Sequence, residues 1–136
     1  MKVVLDTNVL ISGLAAHGAC AELLEHVIEN HELVLSDHLL GEFERVMVRK
    51  LRFSETHVAR ALSLLRRTAK NVEVHPPYPA LCRDPDDDAV LALVRAAAPA
   101  CLVTGDNDLL VLGSVAGVPI VTPQGFWAIA ARHETD

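Results

Sequence analysis

The stretch "KVVLD", residues 2–6, sets the fold expected for this chain, because it is a short β-branched run that ends in an acid. Comparable runs recur at residues 33–36, 72–75, 100–104 and 118–122. Segments of helical period lie between them, at residues 19–30, 37–50, 54–69 and 85–97, and a last helix opens near Pro123. This alternation predicts an α/β fold, a three-layer α/β/α sandwich around a central parallel five-stranded sheet. Short helical turns are expected after Asn8 and Asp106.

Length and composition favour one domain covering residues 1–136, since 51% apolar residues can fill one core. The longest run without a polar residue, 96–103, is broken by Pro99 and is far shorter than the roughly 20 residues of a membrane span. Asp6 interrupts the N-terminus before a signal-like apolar stretch develops, so a cytoplasmic protein without a membrane partner is expected. Three scattered cysteines without a C-x-x-C pattern argue against a thiolate metal site.

Charge is unevenly distributed. The net charge is −6, yet residues 45–70 hold eight basic residues and one acid, Glu55. A basic arm on an acidic body suits a phosphate-bearing ligand, although a solvated basic helix surface explains the charge equally well. The arginines selected as candidate nucleic-acid contacts are Arg49, Arg52, Arg66 and Arg67.

Acids follow two of the predicted strands. The first strand ends in Asp6, and the fourth ends in Thr104, with Asp106 and Asp108 close behind. Ligands of open parallel sheets bind beyond the carboxyl ends of the strands, so these acids occupy functional positions. Glu42, at the edge of the apolar face of the helix after the second strand, can lean toward the same edge.

The segment "DPDDD", residues 84–88, crowds four carboxylates into five positions. Asp84 before Pro85 is a strong helix start, which explains the first acid. On a helical wheel Asp87 falls within the buried arc, whereas Asp88 lies a quarter turn or more away. An inward carboxylate is costly unless it is paired or bound to a cation, and this favours a metal.

Asp6, Glu42, Asp87 and Asp106 are therefore predicted to form one cluster, with Asp108 and Asp88 as auxiliary acids. Oxygen ligands favour a hard cation, Mg²⁺ or Mn²⁺, held by Asp6, Asp87 and Asp106. Such a cluster supports hydrolysis of phosphodiester bonds without a nucleophilic side chain. Each acid alone has a simpler interpretation, as a turn former, a helix cap or a surface residue, and only their joint placement favours the site. His38 is expected near it.

These residues resemble the PIN-domain nucleases, in particular bacterial PIN proteins that are toxins of type II toxin-antitoxin pairs. The resemblance rests on five segments that span nearly the whole chain in order. They are "VVLDTNVLISGL" (3–14), "LSDHLLGEFERVM" (35–47), "CRDPDDDAVLALV" (82–94), "LVTGDNDLL" (102–110) and "VPIVTPQGFW" (118–127).

The resemblance implies an α/β/α sandwich, an acidic Mg²⁺ or Mn²⁺ site and cleavage of RNA. It also implies a cognate antitoxin and a homodimer. Asp6, Glu42, Asp87 and Asp106 match the acidic positions of the family. Thr104 is then expected to orient Asp106 or a metal-bound water, and Asn8 to brace Asp6 by a hydrogen bond.

Two other functions fit parts of the sequence. A catalytically silent PIN-like module would bind RNA or a protein partner without cutting, but it would not need all the acids. A receiver-type phosphoacceptor domain also clusters acids at strand ends, but it needs a lysine late in the chain, and Lys70 is the last one. Separately, Gly41 inside a predicted helix indicates a close backbone approach there.

Overall fold

The sheet has six strands in the computed structural model, which describes residues 1–15 and 18–135. Their spatial order is β3-β2-β1-β4-β6-β5, with parallel pairing except between β5 and β6. The strands are β1 (Lys2–Leu5), β2 (Glu32–Leu35), β3 (Lys70–Asn71), β4 (Cys101–Val103), β5 (Ser114–Val115) and β6 (Val118–Val121). The predicted three-layer α/β/α class is confirmed, with a central sheet that is mostly parallel.

Seven α-helices connect or flank the strands in the described part of the chain. They are α1 (Thr7–Ala15), α2 (Ala19–Asn30), α3 (Asp37–Arg45), α4 (Glu55–Thr68), α5 (Pro85–Ala97), α6 (Asn107–Leu110) and α7 (Pro123–Thr135). Side-chain caps begin four of them: Ser36 accepts from the Leu39 amide, Ser54 from the His57 amide, Asp84 from the Asp86 amide and Asp106 from the Asp108 amide. None of the described helices is long and apolar enough to cross a membrane.

Helices bury the two central strands of the sheet, β1 and β4, on both faces. Val3, Val4 and Leu5 of β1 and all three residues of β4 are fully buried, as expected for parallel strands covered by helices on both sides. The order of the strands reverses at β1, since β2 pairs with one of its edges and β4 with the other. The gap between β1 and β4 is therefore the switch point at which such sheets bind ligands.

Several predicted element boundaries are wrong. The third strand is Lys70–Asn71 instead of residues 72–75, because β2 ends at Leu35 and only the Val72 amide still finds a partner, the Leu35 carbonyl at 2.8 Å. The sequence pattern did not predict β5, which is the additional strand of the sheet. It forms a hairpin with β6 through Ala116 and Gly117, which both have positive φ as a tight two-residue turn requires.

Two helices also differ from expectation. The turn after Asn8 is a nine-residue helix, α1. The predicted helix 37–50 changes character after Arg45, where Val46–Lys50 forms a π-helical turn closed by the Leu51 amide on the Val46 carbonyl at 3.0 Å. None of the described residues makes the close approach expected at Gly41. A Cβ there would meet only the end of the Arg45 side chain, at 3.8 Å.

Candidate active site

Asp6 lies at the carboxyl end of β1 and is nearly buried, with 6% exposure. Its position is fixed by the backbone, since its amide donates to the Val103 carbonyl of β4 at 2.9 Å. One carboxylate oxygen, Oδ1, accepts from the Thr7 amide at 2.8 Å, and the other, Oδ2, accepts from the Thr104 hydroxyl at 2.8 Å. Both oxygens are thus held in one orientation.

Thr104, which is fully buried, joins the two central strand ends. Its hydroxyl donates to Asp6 and accepts from the Asp106 amide at 3.0 Å. Asp106 in turn caps α6, with its Oδ1 accepting from the Asp108 amide at 2.9 Å. The expected hydrogen bond from Asn8 to Asp6 is absent among the described residues, because Asn8 is exposed and Thr104 takes the bracing position.

Asp87 and Asp88 begin α5 with different surroundings, although each is 8% exposed. Asp87 faces the strand ends, where one of its carboxylate oxygens lies within 4.8 Å of one of Asp106. Asp88 turns to the preceding loop, and its Oδ1 accepts from the amides of Leu81 at 2.7 Å and Cys82 at 2.8 Å. Asp87 therefore lies in the acidic cluster, while Asp88 fastens the loop that leads into the helix.

Three carboxylates converge closely enough to hold one cation. One oxygen each of Asp87, Asp106 and Asp108 lies within 4.8 Å of the others. This donor set is all oxygen, as hard divalent cations prefer. Arg83 approaches from outside, with its Nη2 3.6 Å from Asp108 Oδ1, but both side chains are exposed. Asp6 lies beside this group, with its oxygens engaged by Thr7 and Thr104.

Glu42 belongs to a second, adjoining group. One ligand atom each of His38, Glu42 and Asp86 lies within 4.8 Å of the others, and His38 Nε2 is 3.0 Å from Asp86 Oδ1. Thr7 links the two groups, since its hydroxyl donates to Glu42 Oε2 at 3.2 Å and its amide donates to Asp6. The four predicted acids therefore lie near one another, with Asp87 and Asp106 in the first group, Glu42 in the second, and Asp6 linked to Glu42 through Thr7.

Burial and mutual repulsion raise the pKa of three of these acids. Burial is the main cause for Asp87, and the charges of Asp106, Asp84 and Asp6 add to it, bringing the pKa of Asp87 to about 7. Burial also raises the pKa of Asp6, opposed by the hydrogen bonds from Thr104 and Thr7. A divalent cation among such carboxylates would offset the cost of ionising them, so the residues present fit a metal site.

The pKa of Glu42 is raised for the same reasons. Burial is the largest cause, followed by the charges of Asp86 and Asp6, whereas the Thr7 hydroxyl and His38 act in the opposite direction. Acids of both groups thus influence one another electrostatically, and a charge change in one group is felt in the other.

A basic groove adjoins Glu42. Glu42 and Asp86 line it together with Arg45, Arg49 and Lys50. Of the predicted nucleic-acid contacts, Arg49 is in this groove. Arg52, Arg66 and Arg67 are exposed elsewhere on the basic arm, and no described acid forms an ion pair with any of them.

Sequence reasoning missed three members of this region: Thr7, Asp86 and Arg45. Arg45 follows Glu42 by three positions and precedes Arg49 by four, so helical spacing alone predicts that Glu42, Arg45 and Arg49 share one face. His38 and Glu42 are likewise four apart. Thr7 carried no comparable signal, because its hydroxyl reaches an element 35 positions away.

The chain is similar to known proteins in its family and in its fold. A family model described as "PIN domain" matches residues 2–108. No curated protein matches the chain. Among solved structures, VapBC2 from Rickettsia felis, bound to a DNA fragment from its promoter, is similar with a TM-score of 0.67 and 15% identity over 90% of this chain and 98% of that chain.

Two further structures share the fold. VapC20 from Mycobacterium tuberculosis, a toxin that cleaves the sarcin-ricin loop, has a TM-score of 0.60 and 16% identity over 86% of this chain and 99% of that chain. PAE2754 from Pyrobaculum aerophilum has a TM-score of 0.66 and 15% identity over 97% of this chain and 90% of that chain. At these identities the likeness is one of fold.

Proposed function

Because the chain belongs to the PIN-domain family, we propose that it is a metal-dependent endoribonuclease that hydrolyses RNA phosphodiester bonds. The observation that carries this proposal is the convergence of Asp87, Asp106 and Asp108 beside Asp6, at the carboxyl ends of two adjacent central strands. Carboxylate oxygens that converge in this way are the expected ligands of a hard cation, for which Mg²⁺ or Mn²⁺ is proposed.

The protein's own groups divide the work. Asp87 and Asp106 hold the cation, and Asp6, fixed by Thr104, completes the negative site beside them. A divalent cation bound there would supply Lewis acidity to the scissile phosphate and lower the pKa of an attacking water. Asp108 lies within reach of the same ion, while Asp88 acts indirectly by fastening the loop before α5.

Glu42 is assigned the proton transfer. Its Oε2 is held by the Thr7 hydroxyl, and a raised pKa makes it a better acceptor of the proton lost by the attacking water. The groove beside it binds the negatively charged RNA backbone through Arg45, Arg49 and Lys50, which aims the strand at the acidic groups. Arg52, Arg66 and Arg67 extend the same positive surface.

We further propose that the protein is the toxin of a toxin-antitoxin pair. Support comes from the fold it shares with VapBC2 of Rickettsia felis and with VapC20, a toxin that cleaves the sarcin-ricin loop. A cognate antitoxin and a homodimer are the partners expected on this basis. Both stay predictions, as does the single domain over residues 1–136.

The deciding experiment is cleavage of a pool of structured and single-stranded RNAs by the purified chain with Mn²⁺, Mg²⁺ or chelator. Cleavage should require the metal and should disappear in Asp6→Asn. Glu42→Gln should lower the rate, whereas Glu44→Gln, on an exposed position of the same helix, should leave it unchanged. RNA binding with no metal-dependent cleavage by the folded native chain would instead identify a catalytically silent RNA-binding module.

A further inference from the structure

A second cluster of metal-ligating side chains lies at the other edge of the sheet. One ring nitrogen each of His26 and His31 and one carboxylate oxygen of Glu134 lie within 4.8 Å of one another. His31 directly precedes β2, whose first residue pairs with Lys2 at the start of β1. Since Asp6 follows the end of β1, the two clusters lie at opposite ends of the central strand.

One ring nitrogen of His31 is buried without a hydrogen-bond partner among the described residues. Its Nδ1 lies 3.3 Å from the Met1 backbone nitrogen. Its Nε2 is the single buried side-chain nitrogen or oxygen without a hydrogen-bond partner among residues 1–15 and 18–135. Buried polar atoms are nearly always satisfied, so this nitrogen calls for a ligand. Burial lowers the pKa of His31, which keeps the imidazole neutral and its lone pair available.

The other two side chains already meet. His26 Nε2 lies 3.1 Å from Glu134 Oε1, which joins the end of α7 to α2. Asn30 approaches the remaining ring nitrogen of His26, with Nδ2 3.2 Å from Nδ1. The same Asn30 Nδ2 donates to the His26 carbonyl at 3.1 Å, so Nδ1 of His26 accepts and Nε2 carries the ring proton toward Glu134. A cation bound between His26 and Glu134 would replace that proton, so its binding releases a proton to solvent.

We propose that His26, His31 and Glu134 form a binding site for a divalent transition-metal ion of the zinc class, separate from the acidic cluster. Two imidazoles and one carboxylate suit Zn²⁺ better than Mg²⁺, and three protein ligands leave a fourth position open to water. The ion would fasten the last turn of α7 to α2 and to the start of β2, so that its binding stabilises the fold.

Trp127 provides a reporter for this site. It is the only tryptophan in the sequence, and its ring centroid is 4.9 Å from that of His26. Co²⁺ is a suitable probe because it takes zinc sites, quenches nearby indole fluorescence and absorbs visible light when tetrahedral. A few millimolar Mg²⁺ in every sample occupies the acidic cluster, which prefers hard cations.

The experiment titrates the purified full chain with Co²⁺ and then displaces it with Zn²⁺. One equivalent of Co²⁺ should quench Trp127, and Zn²⁺ should restore the signal. Zn²⁺ at a hundredfold excess over its Kd should raise Tm by about 9 °C. His26→Asn and Glu134→Gln should each weaken binding at least tenfold, whereas His75→Asn, an exposed histidine outside the cluster, should bind as the native chain does.

Glu134 is exposed, so Glu134→Gln can be expected to fold even where a change at His31 disturbs packing. Absence of saturable quenching in the native chain would overturn the site. Equal quenching and an equal rise of Tm in His26→Asn and Glu134→Gln would also overturn it, because the ion would then bind elsewhere. Neither result bears on the proposed ribonuclease activity, because the acidic cluster lies at the opposite end of β1 and is tested by RNA cleavage.

Discussion

Replacing Asp87 with asparagine should stabilise the protein when no divalent cation is present. Asp87 has its pKa raised from an ordinary 3.8 to about 7, chiefly by burial and by the charge of Asp106. The folded chain therefore holds this proton more tightly than the unfolded chain does. Stability contributed by protonated Asp87 is complete below pH 3.8 and is lost as pH rises toward 7.

The size of the effect follows from the same values. At about 1.4 kcal/mol per pKa unit, the difference between 3.8 and about 7 sets an upper limit of about 4 kcal/mol on the change in the free energy of unfolding. Asp87→Asn removes this penalty. Its advantage over the native chain should be near zero at pH 4 and rise toward that limit, which corresponds to roughly 13 °C in Tm, at pH 8 in chelator.

Urea unfolding at a series of pH values, with chelator or with Mn²⁺, measures the advantage directly. Added Mn²⁺ should reduce it, since only the native chain has the full set of ligands. Asp88→Asn is the matched control, because Asp88 is equally buried but its carboxylate accepts two backbone hydrogen bonds. That variant should be less stable than the native chain. A pH-independent effect of Asp87→Asn would refute the electrostatic explanation.

Three further outcomes follow from the contacts described above. Thr104→Val removes the hydrogen bond that lowers the pKa of Asp6. The cleavage rate should therefore fall at least tenfold, and the acid limb of the pH-rate profile should move to higher pH. Thr104→Ser, which keeps the hydroxyl, should keep the native profile. Gly41→Ala should raise the free energy of unfolding by about 1 kcal/mol in urea denaturation, because its Cβ has room; Gly13→Ala should lower it, since its Cβ would lie 3.0 Å from Leu24. Glutamine at each predicted arginine contact should weaken RNA binding and flatten its salt dependence, as measured by fluorescence anisotropy, with the largest loss at Arg49 in the groove. A small loss of equal size at all four positions would show instead that these arginines are an ordinary solvated surface. The residues changed in that series are Arg49, Arg52, Arg66 and Arg67.

Local patterns predicted most of the fold. Each of the strands β1, β2, β4 and β6 is a compact apolar run, and Ser36, Ser54 and Asp84 are strong caps, so neighbouring residues alone carry the signal. β3 was misplaced because its length depends on how far β2 extends, which is a property of another segment. β5 could not be predicted, because a strand of two residues shows no alternation of apolar and polar positions.

The site was predictable to the extent that it follows strand ends and helix periodicity. Asp6 and Asp106 lie where the strands end, and the wheel placed Asp87 on the inward side of α5, where the structure has it. The burial of Asp88 was not foreseeable from the wheel, because the loop that covers it is not part of the helix. The link between Asp6 and Glu42 depends on Thr7, whose role requires the tertiary fold.

The pairing of β1 with β4 has a consequence for protein design. Leu5 is in register with Val103, so Asp6 and Thr104 directly follow paired residues, and the Thr104 hydroxyl spans the gap between them. Backbone pairing and one hydroxyl therefore set the spacing of Asp6 and Asp106, and amides in the first turns of α1 and α6 orient their carboxylates. We expect this unit to be portable: grafting Asp onto the end of one strand and Thr-Gly-Asp onto the end of its parallel neighbour, in the same register, should install two oriented carboxylates in an unrelated sheet.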